Sequence, residues 1–295
     1  MTNENANIFS KVKAVTVAVV LLNEEDNKHP FIIAGTGFCI HNEGIIVTCR
    51  HVISAFTDEK EFDKLIEITN SSEQENVARE LRGLVPHVIF FDSSRPGQLI
   101  AYPVRVSMSV CQTNYDLGMM KLHKHKAFPK GYPTLEIENY EKITEGAEIA
   151  LCGFPLGNYL QEQIGTITSS FTRGILSSII PAPNAPIEHL KGFQLNITAT
   201  HGNSGGPVYT LDSGKVFGIL QKGVVGNDGS ILQGIAKAEP IYALTENDSI
   251  ERLLKATPEN FLNHLNSGEF ERIEFVPSSV RFDKKKKSLL QLNLI

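Results

Sequence analysis

His201-Gly202-Asn203-Ser204-Gly205-Gly206-Pro207 runs directly into Val208-Tyr209-Thr210. A serine set among glycines ahead of a strand signal stands where only a tight turn fits, because glycine accepts φ > 0 and lets another chain approach closely. An exposed nucleophile needs that freedom. A serine hydroxyl is a weak nucleophile near neutral pH, so it requires a base within hydrogen-bond reach and NH donors facing the developing oxyanion. Asn, Ser, Gly and Pro are also ordinary turn residues, and the stretch alone reads equally well as a loop. Its meaning depends on whether a base and an orienting carboxylate stand upstream.

Upstream, Phe31 to Ile40 and Ile45 to Cys49 are apolar, β-branched runs joined by His41-Asn42-Glu43-Gly44, the composition of a β-hairpin. The second run delivers Arg50-His51-Val52 at its far end. A lone histidine is more often structural than catalytic, but a strand end is a suitable place for a base. Asp116 stands at another strand entrance, after Thr113-Asn114-Tyr115 and before Leu117-Gly118-Met119-Met120. Such neighbours bury a carboxylate in part, and burial is unfavourable unless hydrogen bonds are accepted. A histidine NH is one way to satisfy it.

The remaining chain alternates short strand signals with turns. Residues 1–10 are polar and expected to fray, with a short helix near Ile8 and Phe9, and the alternation of Val15, Val17 and Val19 with Thr16 and Ala18 reads as a first strand. Residues 57–80 are rich in charge and amides, with Phe62, Leu65 and Ile68 at helical spacing, the mark of a helix-bearing surface insertion. Strand signals return at Val88 to Phe91, Leu99 to Val106 and Leu117 to Leu122. His123-Lys124-His125-Lys126 through Pro133 reads as a linker with a solvated surface. Seven further strand signals follow at Ala147 to Cys152, Gln163 to Thr168, Thr172 to Ser178, Gly192 to Thr198, Val208 to Thr210, Val216 to Leu220 and Gly234 to Ala238. Gly153-Phe154-Pro155-Leu156-Gly157 lacks the lysine and the following helix of a phosphate loop. Strands at short spacing with almost no helix indicate an all-β sandwich or barrel. After Ala243, Ser249 to Leu254 and Pro258 to Leu265 read as helix, while Ile273, Phe275 and Val280 are strand-like ahead of a lysine run at 284–287.

With 295 residues and a net charge of -5, the chain can hold two lobes and exerts no general attraction on nucleic acid. The apolar run Ala14 to Leu22 is too short to span a bilayer and no cleavage site follows it. The four cysteines, Cys39, Cys49, Cys111 and Cys152, lie in strand-like runs without Cys-x-x-Cys spacing. Buried free thiols in a reducing, cytoplasmic compartment are expected, with no zinc site.

Taken together, Gly35-Thr36-Gly37-Phe38 through Thr48-Cys49-Arg50-His51-Val52, then Asp116-Leu117-Gly118, then Gly202-Asn203-Ser204-Gly205-Gly206-Pro207 resemble the three signature blocks of trypsin-like, chymotrypsin-fold serine proteases. Gly153 to Gly157, Gly165 to Thr168, Gly174 to Ser177 and Gly218 to Leu220 are similar to blocks of the bacterial HtrA-like branch. The resemblance spans roughly residues 14–245. It implies two six-stranded antiparallel Greek-key barrels, at 14–128 and 129–245, between an N-terminal extension at 1–13 and a C-terminal helix and tail at 246–295. It implies His51 as general base and acid, Asp116 as its orienter and Ser204 as nucleophile, with the backbone NH groups of Gly202 and Ser204 forming the oxyanion hole. Thr198, Gly223 and Gly234 match the positions lining the pocket for the residue before the scissile bond. None is charged, so an uncharged side chain, small or medium and apolar, is expected there. Neither metal nor cofactor is implied, and the partner implied is a protein or peptide substrate.

The chain also departs from that pattern. Asn203 replaces the aspartate that pairs with a freed N-terminus in the digestive enzymes, so activation by propeptide cleavage is not expected. The disulfide that ties the histidine loop in secreted relatives would need cysteines near Thr36 and at Val52, and both are missing. About fifty residues after Ala243 are too few for a PDZ domain. The leading expectation is an intracellular serine endopeptidase. The alternative is a catalytically silent peptide-binding or interaction module on the same fold. The 57–80 insertion and the basic tail after Asp283 are the segments to test for a regulatory partner, with solvated surface the favoured reading of both.

Overall fold

The computed structural model describes residues 3–22, 31–56, 86–93, 98–112, 114–157, 167–225, 231–245, 249–255, 270–275 and 291–293. Strands β1 (Thr16–Leu22), β2 (Phe31–His41), β3 (Ile45–Thr48), β4 (Pro86–Asp92), β5 (Gln98–Gln112) and β6 (Gly118–Leu122) are all antiparallel and pair in the order β1-β2-β3-β6-β5-β4, with β4 returning to β1. Six further strands make the second barrel: β7 (Glu148–Gly153), β8 (Ser170–Ile180), β9 (Gly192–Asn196), β10 (Pro207–Thr210), β11 (Val216–Val225) and β12 (Ile231–Pro240). They close in the order β7-β8-β9-β12-β11-β10. The expected architecture of two six-stranded Greek-key barrels is therefore present. Closure leaves each of these strands paired on both sides and removes sheet edges.

Alternation explains why β1 is buried along its whole length. Val17 and Val19 join the main core with Phe38, Val47 and Val106, while Ala18, Val20 and Leu22 on the other face pack with Ile33, Phe91, Phe154 and Ile167. Phe154 and Ile167 belong to the second half of the chain, so one strand has a barrel interior on one side and the neighbouring barrel's residues on the other. Each fully buried side chain of this size contributes roughly 1.5–3 kcal/mol.

The N-terminus is ordered further than the expected short helix near Ile8 and Phe9 within a frayed segment. It forms α1 (Asn3–Val15), a 13-residue helix that includes Val15, which had read as strand. Ile8, Val12 and Val15 recur at helical spacing, and Val12 and Val15 are buried. The helix bridges both halves of the chain: Phe9 packs on Phe171 at 4.8 Å between centroids, and Lys13 donates to the Thr168 hydroxyl at 3.0 Å. Docking stabilises a helix too short to persist alone. After β12 come two short helices, α3 (Tyr242–Thr245) and α4 (Ser249–Lys255), preceded in the chain by α2 (Arg50–Ser54) between β3 and β4. Beyond them β13 (Phe270–Phe275) and β14 (Gln291–Asn293) both pair with β5 of the first barrel.

Of the expected strand at Gln163 to Thr168, residues 163–166 lie outside the described residues, and Ile167 and Thr168 are not in a strand. The 57–80 insertion, the Pro258 to Leu265 helix, Val280 and the lysine run also lie outside them. No helix among the described residues is long and apolar enough to cross a membrane.

Candidate active site

His51 is delivered by the end of β3, where Cys49 caps the five-residue helix α2 without a side-chain hydrogen bond. The first NH groups of a helix have no partner within it and need an outside acceptor. Asp116, in the bend between β5 and β6, supplies that acceptor. Its Oδ1 accepts the His51 backbone NH at 3.0 Å, and its carbonyl accepts the Arg50 NH at 3.2 Å. The other carboxylate oxygen, Oδ2, lies 2.6 Å from His51 Nδ1. One aspartate thus fixes both the backbone and the ring of the histidine.

Burial alone would push the Asp116 carboxyl above the ordinary carboxylate range. The hydrogen bonds and charge of His51, with a smaller contribution from the Gln221 side chain, outweigh it and hold the group below that range. The carboxylate is therefore ionised at neutral pH, with its side chain 16% exposed beside a His51 ring that is 38% exposed.

Ser204 lies in the loop between β9 and β10. The Gly206 NH closes a turn on the Asn203 carbonyl at 2.9 Å, and Gly202 and Gly205 take positive φ values of 90° and 87°. The loop is fastened to the first barrel through Thr36. The Thr36 hydroxyl donates to the Gly202 carbonyl at 2.6 Å and accepts the Phe154 NH at 3.1 Å, while the Thr36 NH donates to the Ser204 carbonyl at 2.8 Å. The close approach needs glycine: a Cβ on Gly35 would meet Val52 at 2.6 Å and the Ser204 carbonyl at 2.9 Å. Val52 follows His51 in the chain, so the histidine and serine segments are in packing contact through Gly35.

The Ser204 hydroxyl itself donates to the main-chain carbonyl of Gln221 at 2.9 Å. Among the described residues the NH groups of Gly202 and Ser204 have no protein acceptor, whereas the neighbouring Asn203 NH is taken by Thr200 at 3.1 Å. NH groups left without a protein acceptor on either side of Asn203 are donors open to an oxygen anion. The Asn203 side chain is buried, with its Oδ1 packed toward Gly153.

Of the three pocket positions, Gly223 pairs with Ala236, and Gly234, two residues from that rung, has φ 74° with the Asn196 amide oxygen 3.1 Å from where a Cβ would stand. Thr198 is exposed, two residues past the end of β9. Nearby on β12, Glu239 is buried and paired with Lys237 at 3.0 Å. Burial raises its proton affinity against the opposing pull of Lys237.

Cys49 donates its thiol to the Leu220 carbonyl at 3.1 Å, and its sulfur, a His51 ring nitrogen and an Asp116 oxygen lie within 4.8 Å of one another. Burial first, then the charges of Asp116 and Glu239, raise the Cys49 thiol well above its ordinary range. A protonated thiol beneath an intact His51–Asp116 hydrogen bond is a packing group. All four cysteines are free and buried, as expected.

Sequence reasoning missed two residues here. Thr36 was visible only as the centre of Gly35-Thr36-Gly37, a pattern that signals close backbone approach without saying what approaches. Gln221 carried no signal at all.

A family model described as trypsin-like peptidase domain matches residues 35–219. No curated protein matches the sequence. Among solved structures, the HtrA-type protease AlgW with a decapeptide aligns over 84% of this chain and 67% of its own, at 16% identity and a TM-score of 0.52. AlgW with a tripeptide aligns over 85% of this chain at 16% identity and a TM-score of 0.51, and this chain spans only 64% of that one. Deg5 aligns over 82% of this chain and 90% of its own, at 19% identity and a TM-score of 0.52. At such identities the likeness is one of fold.

Proposed function

Because the chain belongs to the trypsin-like peptidase domain family, we propose that it is a serine endopeptidase acting through an acyl-enzyme, with Ser204 as nucleophile, His51 as base and acid, and Asp116 as its orienter. The observation that carries this reading is the double grip of Asp116 on His51, at 2.6 Å to the ring and 3.0 Å to the backbone NH. With its Nδ1 proton held by an ionised carboxylate, the imidazole presents its other nitrogen as a base.

The Ser204 hydroxyl leaves the Gln221 carbonyl and turns to His51, which takes its proton as the oxygen attacks the substrate carbonyl. The Gly202 and Ser204 NH groups receive the oxyanion. His51, now an imidazolium stabilised by Asp116, gives the proton to the departing amine as the C–N bond breaks. A water then attacks the ester by the same route and releases the acid and Ser204. The solved AlgW structures hold a tripeptide and a decapeptide, which supports a peptide substrate for this chain. Thr198, Gly223 and Gly234 line the proposed pocket, which carries no charge and suits a small or medium apolar side chain. Four buried, reduced thiols support a reducing compartment such as the cytoplasm. The 57–80 insertion and the C-terminal tail remain the segments proposed to meet a regulatory partner.

One observation favours a second reading, a catalytically silent peptide-binding module: Ser204 rests on Gln221 and not on His51. A fluorophosphonate probe separates the two. It is expected to label the wild type and not Ser204→Ala; labelling of neither would support the silent module.

A further inference from the structure

Leu156 stands where a turn asks for glycine. The Gly157 NH closes on the Phe154 carbonyl at 3.2 Å, with Pro155 and Leu156 between them, and Leu156 takes φ 50°. Proline followed by a residue of positive φ is the pattern of a type II turn, whose second central place belongs to glycine or asparagine. The other non-glycine residue with positive φ among the described residues is Asn184, a type that accepts it. Leucine is strained there, and burial returns little. At 45% exposure Leu156 is the most exposed large apolar residue among those described. Strain retained without burial is the mark of a side chain held for contact with a ligand.

The turn lies against the serine loop, on the flank away from the proposed pocket. The Leu156 NH donates to the His201 carbonyl at 2.7 Å, and a Cβ on Gly202 would run into the Phe154 carbonyl. Gly223 and Gly234 are on β11 and β12, to one side of β10, whereas the turn follows β7, which pairs with β10 on the other side. Strand β2 passes along this second flank. A Cβ on Gly157 would stand 2.5 Å from Ile33, and one on Gly35 2.9 Å from the Ser204 carbonyl. Between those two contacts is Ala34, half-buried and without a rung opposite β1. A peptide whose residue before the scissile bond fills the pocket carries its following residues across Ser204 to this apolar flank. We propose that Leu156, with Ala34 on β2, forms a leaving-side subsite that selects an apolar side chain in the first two substrate residues after the scissile bond. The proposal rests on the reading of Ser204, His51 and Asp116 given above. An apolar side chain seated there removes the exposed face of Leu156 from water. The leaving segment departs before water attacks the ester, so the contact favours acylation alone.

Leu156→Asn puts an amide on a residue that accepts positive φ, and Leu156→Gly removes the side chain altogether. Both suit the turn better than leucine, so neither unfolding midpoint is expected to fall. The full chain is given a peptide library randomised on both sides of the cleaved bond, with the cuts read by mass spectrometry. Wild type is expected to favour Leu, Ile, Met or Phe over Ser or Gly by about tenfold in kcat/KM at one of the first two positions after the cut. Both variants are expected to lose that preference and to keep the preference before the cut. Hydrolysis of a peptide methyl ester, which has no residue after the bond, is expected to match wild type. A wild type indifferent to the residues after the cut, a variant that keeps the preference, or an equal loss on the ester overturns the proposal. Should one variant fail to fold, the other decides; failure of both makes Leu156 a packing residue and overturns it. Retention of the same library on immobilised Ser204→Ala, with and without Leu156→Asn, needs no turnover. Apolar retention that depends on Leu156, beside a wild type that the fluorophosphonate probe does not label, would sink the endopeptidase reading and leave the apolar subsite standing. A labelled, active wild type without the preference would do the reverse.

Discussion

The hydroxyl of Ser204 donates to the backbone carbonyl of Gln221 at 2.9 Å, while the ring of His51 is held at 2.6 Å by Asp116. The proposed nucleophile and its proposed base are thus each hydrogen-bonded to something other than one another. Rotation about the serine Cα–Cβ bond moves the oxygen between staggered wells, so one side-chain torsion can release it from the Gln221 carbonyl. A crystal structure of a peptidyl phosphonate adduct is expected to show the Gln221 contact broken and His51 within about 3 Å of Ser204 Oγ. An adduct with His51 swung away from the serine would remove it as the base.

Asp116→Asn tests the double grip. The amide oxygen can still accept the His51 backbone NH, which leaves the NH2 group facing Nδ1 and drives the ring proton to the nitrogen that must act as base. Turnover of a peptide substrate is expected to fall by about 10³–10⁴ with the fold intact. Wild-type turnover by this variant would take Asp116 out of the mechanism.

The pH dependence has two parts. The value of kcat/KM is expected to rise with pH as His51 becomes neutral, and a flat profile from about pH 5 to 9 would count against an imidazole base. Stability follows Asp116, whose folded carboxyl is held low by His51 after opposing burial. A depressed carboxyl stabilises the fold above its unfolded value of about 3.9 and loses that contribution as pH falls through the lower folded value. The stability gap between wild type and Asp116→Asn in urea melts is therefore expected to narrow below about pH 4.

Gly205→Ala is expected to destabilise by about 3 kcal/mol or more. Its φ is +87°, and an added Cβ would stand 2.0 Å from the Thr36 carbonyl and 2.2 Å from the Thr48 hydroxyl, two groups already bonded to each other at 2.7 Å. Gly146→Ala is the control, with φ +84° and nothing within 4 Å, so only backbone strain of about 1–2 kcal/mol is expected. Equal unfolding midpoints for the two variants would show that the Thr36 clamp does not constrain the serine loop.

The thiols supply a further measurement. Burial pushes Cys39 up to about 12 and Cys152 up to about 11, and Cys49 lies well above its ordinary range. Since the thiolate is the reactive form, a thiol-reactive dye is expected to modify the native protein very slowly and all four cysteines after unfolding. Rapid native labelling of Cys49 would contradict its place beneath the site.

Most of the barrel architecture was legible along the chain, because period-two patterning and β-branched runs report strands locally and glycine-rich turns report where they stop. The hairpin ending at His51, the bend carrying Asp116 and the turn carrying Ser204 were readable for that reason. The N-terminal helix was legible only as a short helix near Ile8 and Phe9, not at its full length. Polar residues at 1–10 look frayed unless the surface that receives Ile8, Val12 and Val15 is known, and that surface is made by distant strands. The pairing of Phe270–Phe275 with β5 was likewise hidden, since a strand-like run does not name its partner.

Residue types and local spacing placed a hydroxyl, an imidazole and a carboxylate at three strand ends, and it was the resemblance of their flanking blocks to those of trypsin-like proteases that joined them into one expected site. Which acceptor the hydroxyl rests on depended on the register of β11 against β12. The residue without a rung in that ladder is Gln221, whose carbonyl takes the hydroxyl, and nothing in the order of amino acids alone says where a ladder slips.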